Sequence, residues 1–337
     1  MLLYSDYLLK DCNSFKINAK ADFLIEITSA LDLENFARKK KFFNLNRVVL
    51  GNGTNILFTS DFKGVILKNN TKGIEIVFQN DDHVEIKVAS GENFDDFVAY
   101  CVKNRFCGLE NLSGIPGSVG GAAVQNIGAY GAEVSSVVKN VEYFDFESLE
   151  IKNIDKKDCN FGYRSSVFKN ILENKTFITS VTFVLNKKFS PNIEYGNLAE
   201  IFKDVPIITP TMLRRRIIEM RNEKLPDFKT FGNAGSFFKN PELPKAKAEC
   251  LKSKFPELKF YPSSNEKNVK LSAGQLIDIC GFKQTPDPKV GVWENQALVV
   301  VNYGNATGRD IVSFEKKIIK AVKEKFSIEL EPEVCII

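Results

Sequence analysis

The chain has 337 residues, 44% of them hydrophobic, and a net charge of +4 from 46 basic and 42 acidic side chains. That length admits two or three domains with a sizeable core and excludes a disordered chain. No run of about 18 apolar residues occurs, so no membrane span is expected, and the mild basic excess suits a small anionic substrate without calling for nucleic acid.

The N-terminal MLLYSDYLLKDCNSFK carries charge within its first ten residues and lacks a signal peptide's basic start and long apolar run. A cytoplasmic location is the expectation. Seven cysteines are scattered at 12, 101, 107, 159, 250, 280 and 335, odd in number and without a C-x-x-C pair. They read as reduced, mostly buried thiols and not as a disulfide or zinc framework. The one histidine, His83 in DDHVEIKV, reads as an exposed residue at a strand next to a turn. Any Ser-His-Asp, Cys-His or histidine-rich metal scheme would rest on it alone. No metal is expected, and acid–base chemistry falls to Ser, Lys, Tyr, Arg or carboxylates.

In chain order, FLIEIT (23–28) and RVVL (47–50) read as strands. Between them SALDLENFARKKKF has helical spacing, capped by Ser29 or Asp32. Residues 63–90 alternate apolar and polar around short turns and read as a meander. ENFDDFVAYCVKNRF reads as a helix with Phe94, Phe97, Val98, Cys101 and Val102 on one face. VKNVEYFDFE and FITSVTFVL are strand-like, and TPTMLRRRIIEMRNEKL is a basic helix. A connecting stretch with several prolines follows the segment around 236. Then come a helix over 270–281 closed by Gly281, a strand QALVVVN, an amphipathic helix GRDIVSFEKKIIKAVKEKF and a last strand IELEPEVCII. The basic runs 39–41 and 214–216 read as isolated on helices. The mixed order gives an α+β class with at least two domains and a boundary near 206–230.

Three segments carry chemistry. GNGTNIL (51–57) follows a strand like a dinucleotide fingerprint, but Ile56 stands where the third glycine belongs. As a tight turn with amide N–H groups, Thr54 and Asn55, it suits a phosphate. GLENLSGIPGSVGGAAVQNIGAYG (108–131) holds seven of the 21 glycines and, apart from Glu110, no charged residue. An anion there would be bound by backbone N–H groups, and a diphosphate is the natural candidate. Ser113, Ser118, Gln125 and Asn126 add side-chain hydrogen-bonding groups. In GNAGSFFKNP (232–241), Ser236 sits in a glycine-rich turn. The pattern leaves it as nucleophile, proton donor, phosphate contact or plain turn residue.

GNGTNIL, ENLSGIPGSVGGAAVQNIGAYG, FGYRSSVFK, LPD…GNAGSFFKNP, AGQLID, QALVVVN and LEPEV occur in this order over nearly the whole chain. Together they closely resemble the MurB family of UDP-N-acetylenolpyruvoylglucosamine reductases, in its type I branch with a tyrosine loop. The resemblance implies an FAD-binding fold of the vanillyl-alcohol oxidase type, made of two α+β subdomains, with a separate α/β substrate-binding domain. The expected boundaries are 1–69 plus 326–337 and 70–219 for the FAD subdomains, and 220–325 for the UDP-sugar domain. It also implies the reaction: NADPH reduces non-covalent FAD, and the flavin then reduces UDP-N-acetylglucosamine enolpyruvate to UDP-N-acetylmuramate for peptidoglycan. A monomer is expected, binding neither nucleic acid nor membrane.

By the same resemblance, Gly51, Asn52, Gly53, Thr54 and Asn55, with Ser113, Gly114, Ile115, Pro116, Gly117, Asn126 and Gly128, wrap the FAD. Thr54 stands where serine is common and keeps the hydroxyl. Tyr130, Tyr163, Tyr195, Arg221, Lys224, Asn240 and Gln296 match substrate contacts, whereas Glu294 and Asn295 depart from a stretch that often carries a basic residue. Reduction of an enolpyruvyl double bond delivers hydride to the β-carbon and builds charge at the α-carbon, which must be stabilised and then protonated. Arg164 aligns with a catalytic arginine whose fork suits a carboxylate. Glu333, behind Pro332, aligns with a catalytic carboxylate. With no histidine nearby and a proton needed at carbon, Ser236 becomes the proton donor. Cys335 has no assigned role. The alternatives are another non-covalent FAD oxidoreductase of this fold and a non-catalytic nucleotide-sugar-binding protein. Covalent attachment through histidine is disfavoured because His83 lies outside both glycine segments.

Overall fold

The structure, a computed structural model, describes residues 1–263, 265–284 and 288–337. The chain folds into two compact units. The first comprises Met1–Tyr7, Ala21–Asn52 and Lys63–Arg221, and the second Leu8–Lys20, Gly53–Phe62 and Asn222–Ile337. Both mix helices and strands, as an α+β class requires.

In the first unit, β1 (Leu2–Leu8), β2 (Lys20–Ile27), β3 (Arg47–Leu50) and β4 (Phe62–Asn69) form a sheet in the order β1-β2-β4-β3. β3 runs parallel to β4, with Leu50 opposite Lys68. A second sheet is antiparallel. It consists of β5 (Ile74–Gln79), β6 (His83–Ala89), β7 (Val138–Asp145), β8 (Glu150–Asp155) and β9 (Thr176–Asn186), in the order β8-β7-β9-β6-β5. The expected meander over 63–90 is therefore divided: residues 62–69 belong to one sheet and 74–89 to the other. Alternation marks a strand and its buried face but does not choose its neighbour.

Helix α1 (Ala30–Arg38) is capped by Ser29, whose side chain accepts from Asp32 N, and ends at Lys39; Lys40–Phe43 is a separate short turn. α2 (Phe94–Lys103), capped by Asn93, buries the five residues whose spacing marked its inner face. With Val84, Ile86, Val88, Val181 and Phe183 they form the core of the larger sheet. α3 (Val119–Gln125) starts at Ser118, which accepts from Gly121 N, and stops at Asn126 in the left-handed conformation (φ 42°). α4 (Pro210–Lys224) buries Leu213, Ile217 and Met220 against Leu198 and Phe202.

In the second unit, β10 (Gly232–Ser236) joins a three-stranded sheet with β14 (Val290–Trp293) and β15 (Gln296–Asn302), in the order β10-β15-β14; β11 (Glu242–Pro244), β12 (Phe260–Pro262) and β13 (Asn268–Leu271) form a second, ordered β11-β13-β12. The proline-containing stretch read as a connection is thus structured, and it carries α5 (Lys245–Lys254), which buries only Ala248 and Leu251. α6 (Ala273–Ile279) is shorter than the 270–281 expected, because residues up to Leu271 are strand. Gly281 follows its C-cap with φ 85°. α7 (Gly308–Phe326) has a reciprocal Thr307/Asp310 capping box. The anticipated last strand shrinks to Cys335–Ile336, paired parallel with Ile56–Leu57. Pro332 lacks the N–H a ladder needs, and the preceding residues make only an isolated bridge, Phe238 to Pro332.

Candidate active site

In the second unit, the conformation around Ser236 is written locally. Asn233 Oδ1 accepts from Gly235 N at 2.9 Å, an Asx turn inside a strand, while Asn233 Nδ2 donates to Phe231 O at 2.8 Å. The β10–β15 register slips between Asn233 and Ser236, so the strand bulges there. Gly235 takes the left-handed conformation (φ 69°), and among the described residues none but its two chain neighbours lies within 4 Å of where its Cβ would be. The bulge thus leaves open space next to the half-buried Ser236. Phe237 and Phe238 anchor the far side, both 0% exposed. Phe237 packs on Phe15 at 6.0 Å between ring centroids and donates its N–H to Leu298 O.

The same backbone holds Glu333. Its N–H donates to Phe237 O at 2.8 Å, and Lys239 N donates to Glu331 O at 2.9 Å. Asn55 Nδ2 donates to Glu333 O at 3.1 Å, and Cys335 N to Asn55 O at 3.1 Å. Asn55 therefore ties the 53–57 stretch to the Glu333 backbone. Glu331 is exposed and its carboxylate pairs with Lys239. Gly53 is a fixed point: at φ 67° its Cβ would lie 1.9 Å from the Cys12 carbonyl oxygen, a distance no side chain tolerates. Its own carbonyl accepts from Ser14 N at 2.9 Å.

In the first unit, Arg164 occupies a tight turn. Gly162 N donates to Ser165 O at 3.0 Å and Ser165 N to Gly162 O at 3.1 Å, with Arg164 between them at φ 53°. A left-handed arginine costs on the order of 1–3 kcal/mol and persists only where its surroundings impose it. Here the guanidinium donates to Gly128 O at 2.8 Å and stacks over the Tyr163 ring at 5.2 Å. Asn126, fully buried, donates to Gly162 O at 2.8 Å and Glu133 Oε2 at 3.0 Å, and its Oδ1 accepts from Ser135 N. Its side chain is thus committed to holding the Arg164 turn.

The glycine segments are braced from outside. Asn52 Nδ2 donates to Gly117 O at 3.1 Å, Lys68 Nζ donates to Gly51 O, and a Cβ on Gly51 would meet Ser118 Oγ at 2.4 Å. Gly114 N donates to Asp95 Oδ1 at 2.6 Å, and its carbonyl accepts from Arg221 Nε at 3.0 Å. Asp95 also takes two bonds from Arg214, at 2.5 and 2.9 Å. Burial pushes the Asp95 carboxyl up, but the Arg214 bonds, the Gly114 N–H and the charges of Arg214 and Arg221 outweigh it and hold the group below its ordinary value. Burial lowers Arg221, opposed by Tyr130 and Asp95. Sequence reasoning missed Asp95, Arg214 and Lys68; within the run 214–216, Arg215 and Arg216 pair with Glu219 of the same helix.

Tyr130 (φ 48°) and Tyr195 face each other edge-on at 5.9 Å, with Tyr195 53% exposed. Asn111 Nδ2 donates to both Tyr130 O (2.8 Å) and Asn192 O (2.9 Å), and Asn192 Nδ2 donates to Gly131 O (3.2 Å). The tyrosine-bearing loop is therefore fastened to the end of the glycine block. In the second unit Lys224 is exposed at the end of α4, and Asn240 Oδ1 accepts from Ala273 N at 2.9 Å, fixing the start of α6. Gln296 Oε1 would lie 2.6 Å from a Cβ on Gly274, and Asn295 Nδ2 donates to Glu223 O at 3.2 Å.

The cysteines are free thiols. Burial pushes Cys107 up to about 11 and Cys159 up to about 12, which keeps both unreactive. His83 is half-buried, its ring 5.4 Å from that of Phe78. Among the described residues, no cluster of three metal-binding side chains occurs, and no helix is long and apolar enough to cross a membrane.

Two family models match the chain: an FAD binding domain over residues 21–148 and the C-terminal domain of UDP-N-acetylenolpyruvoylglucosamine reductase over 226–337. The UDP-N-acetylenolpyruvoylglucosamine reductase of Flavobacterium johnsoniae is 43% identical over 341 residues, covering 100% of both chains. That of Porphyromonas gingivalis W83 is 41% identical over 99% of each. The crystal structure of the reductase (MurB) from Thermus caldophilus shares the fold, with a TM-score of 0.65 over 99% of each chain at 22% identity. The chain belongs to the UDP-N-acetylenolpyruvoylglucosamine reductase family, the MurB family.

Proposed function

We propose that this protein reduces UDP-N-acetylglucosamine enolpyruvate to UDP-N-acetylmuramate in peptidoglycan synthesis, using FAD with NADPH as hydride donor. The observation that carries the reading is end-to-end identity of 43% to a curated reductase, with Arg164, Ser236 and Glu333 all present. We assign 1–69 with 326–337 and 70–219 to FAD binding and 220–325 to the UDP-sugar, in a monomer located in the cytoplasm.

The residues fit FAD. Segments 51–55 and 113–117 contain no acidic side chain, and several of their residues are half-exposed. At Gly51 and Gly53 a side chain would strike neighbouring atoms, so the backbone there stays bare, as diphosphate binding demands. Gly51–Asn55, Ser113–Gly117 and Gly128 would hold the cofactor, and Asn126 would support it by fixing the Arg164 turn. Bound FAD supplies the hydride that the enolpyruvyl β-carbon accepts.

Arg164, preset by its turn, neutralises charge spreading onto the substrate carboxylate. Glu333 assists enolate formation. Ser236 delivers its hydroxyl proton to the α-carbon, and the open space at Gly235 lets the substrate approach it. Tyr130, Tyr163, Tyr195, Arg221, Lys224, Asn240 and Gln296 hold the UDP-sugar, with the two cations meeting its diphosphate.

The test is anaerobic mixing of the NADPH-reduced protein with UDP-N-acetylglucosamine enolpyruvate while the flavin spectrum is followed. Prompt return of the oxidised spectrum is expected. A colourless protein that takes up no FAD, or a reduced one indifferent to this substrate, would overturn the reading.

A further inference from the structure

The glycine block carries no basic side chain of its own, yet the peptide unit at Gly114 is gripped at both ends by charged groups from two helices. Asp95 in the first turn of α2 takes its N–H, and Arg221 near the end of α4 takes its carbonyl. Arg214, two helical turns before Arg221, closes the assembly with a bidentate bond to Asp95. The Asp95 and Arg214 side chains are 28% and 16% exposed, so water competes only partly for these bonds. Gly114 itself is left-handed (φ 73°), a backbone state that fluctuates when nothing holds it.

A carboxylate beside an anion-binding turn is unfavourable if alone. Two cations around one carboxylate reverse the sign, leaving the Gly114 surroundings with a net positive charge. The Gly114 N–H is committed to Asp95 and so fixes the turn.

We propose that Asp95, with Arg214 and Arg221, is a positioning device that holds the 113–117 turn in its cofactor-binding shape, so that Asp95 governs FAD retention without touching FAD. The inference rests on the FAD reading given above. A turn already in its bound shape spares the cofactor the ordering cost that would otherwise weaken binding.

The experiment measures flavin release from the purified holoprotein by the rise in flavin fluorescence on dilution, and the unfolding midpoint at saturating FAD. Asp95→Ala is expected to raise the FAD dissociation constant about tenfold, the scale of losing hydrogen bonds to a charged group. Asp95→Asn keeps an acceptor for Gly114 N–H and is expected to recover most of that loss. Asp96→Ala, one residue along on the exposed side of α2, is expected to behave as wild type. Equal FAD retention in Asp95→Ala and wild type would overturn the proposal. So would a loss not recovered by Asp95→Asn that tracks a lowered unfolding midpoint, since that marks a general tie between helices. Wild-type protein that holds no FAD would remove the cofactor reading and the role of Asp95 with it.

Discussion

The backbone N–H of Glu333 donates to the carbonyl of Phe237 at 2.8 Å, so Glu333 is fixed to the residue immediately after Ser236. Two candidate catalytic groups nearly a hundred positions apart in sequence thus share one rigid piece of backbone, with Phe237 and Phe238 sealed beneath it. Geometry of this kind would hold the backbone of both candidate groups without dependence on a loop. Ser236→Ala is expected to leave reduction by NADPH unchanged and to slow reoxidation by the enolpyruvyl substrate by about 10²–10⁴-fold, the usual worth of a positioned proton donor. Anaerobic stopped-flow measurement of the two half-reactions separates these effects. Normal reoxidation would remove Ser236 from the mechanism.

Gly235→Ala tests the open space beside that serine. Among the described residues, none but the two chain neighbours has an atom within 4 Å of the new methyl, so the expected cost to stability is the backbone strain of a left-handed alanine, about 1 kcal/mol. A substrate approaching Ser236 would meet the methyl. The expected result is a small drop in unfolding temperature with a disproportionate rise in KM for the enolpyruvyl substrate. An unchanged KM would show that the substrate approaches from another side.

Arg164→Lys asks whether the fork matters or only the charge. Lysine keeps the cation but cannot bond Gly128 O and a carboxylate together in one plane, and it loses the stack on Tyr163. Reoxidation is expected to slow by about tenfold or more, with the rate of flavin reduction by NADPH retained. Equal reoxidation rates in variant and wild type would reduce Arg164 to a charge.

Much of this was legible in the sequence, for local reasons. The face of α2 followed from five apolar residues at helical spacing, and the turn at Ser236 from the glycines before it, of which Gly235 is left-handed. What stayed hidden depends on partners distant in the chain. Alternation over 63–90 marked strands but not the two sheets that share them. The helix Lys245–Lys254 was invisible because it buries only Ala248 and Leu251. The pairing of Asp95 with Arg214 was not legible, because 119 positions separate them and no local pattern couples the two. Asn126 was legible as a member of the glycine block but not as a brace for Arg164, since its acceptor Gly162 lies 36 residues on.

Glu110 supplies a test of pH dependence. It is the one acid of the glycine block and is 4% exposed, with its carboxylate accepting from Gly108 N at 2.8 Å beside the Cys107 thiol. Burial raises its pKa, and the hydrogen bonds from the backbone and Cys107 only partly oppose this. A carboxyl whose folded-state pKa lies above its unfolded value stabilises the fold fully below the unfolded value, and that stability is lost as pH rises through the folded value. Glu110→Gln keeps an oxygen for Gly108 N–H and cannot ionise. The unfolding temperature of the variant relative to wild type is therefore expected to climb as pH is raised from about 4 toward neutrality, by at most about 1.4 kcal/mol of stability per pH unit within the titration window. Thermal melts of both proteins across that range provide the measurement. A constant difference between them would mean that Glu110 titrates in the folded protein as it does in the unfolded chain.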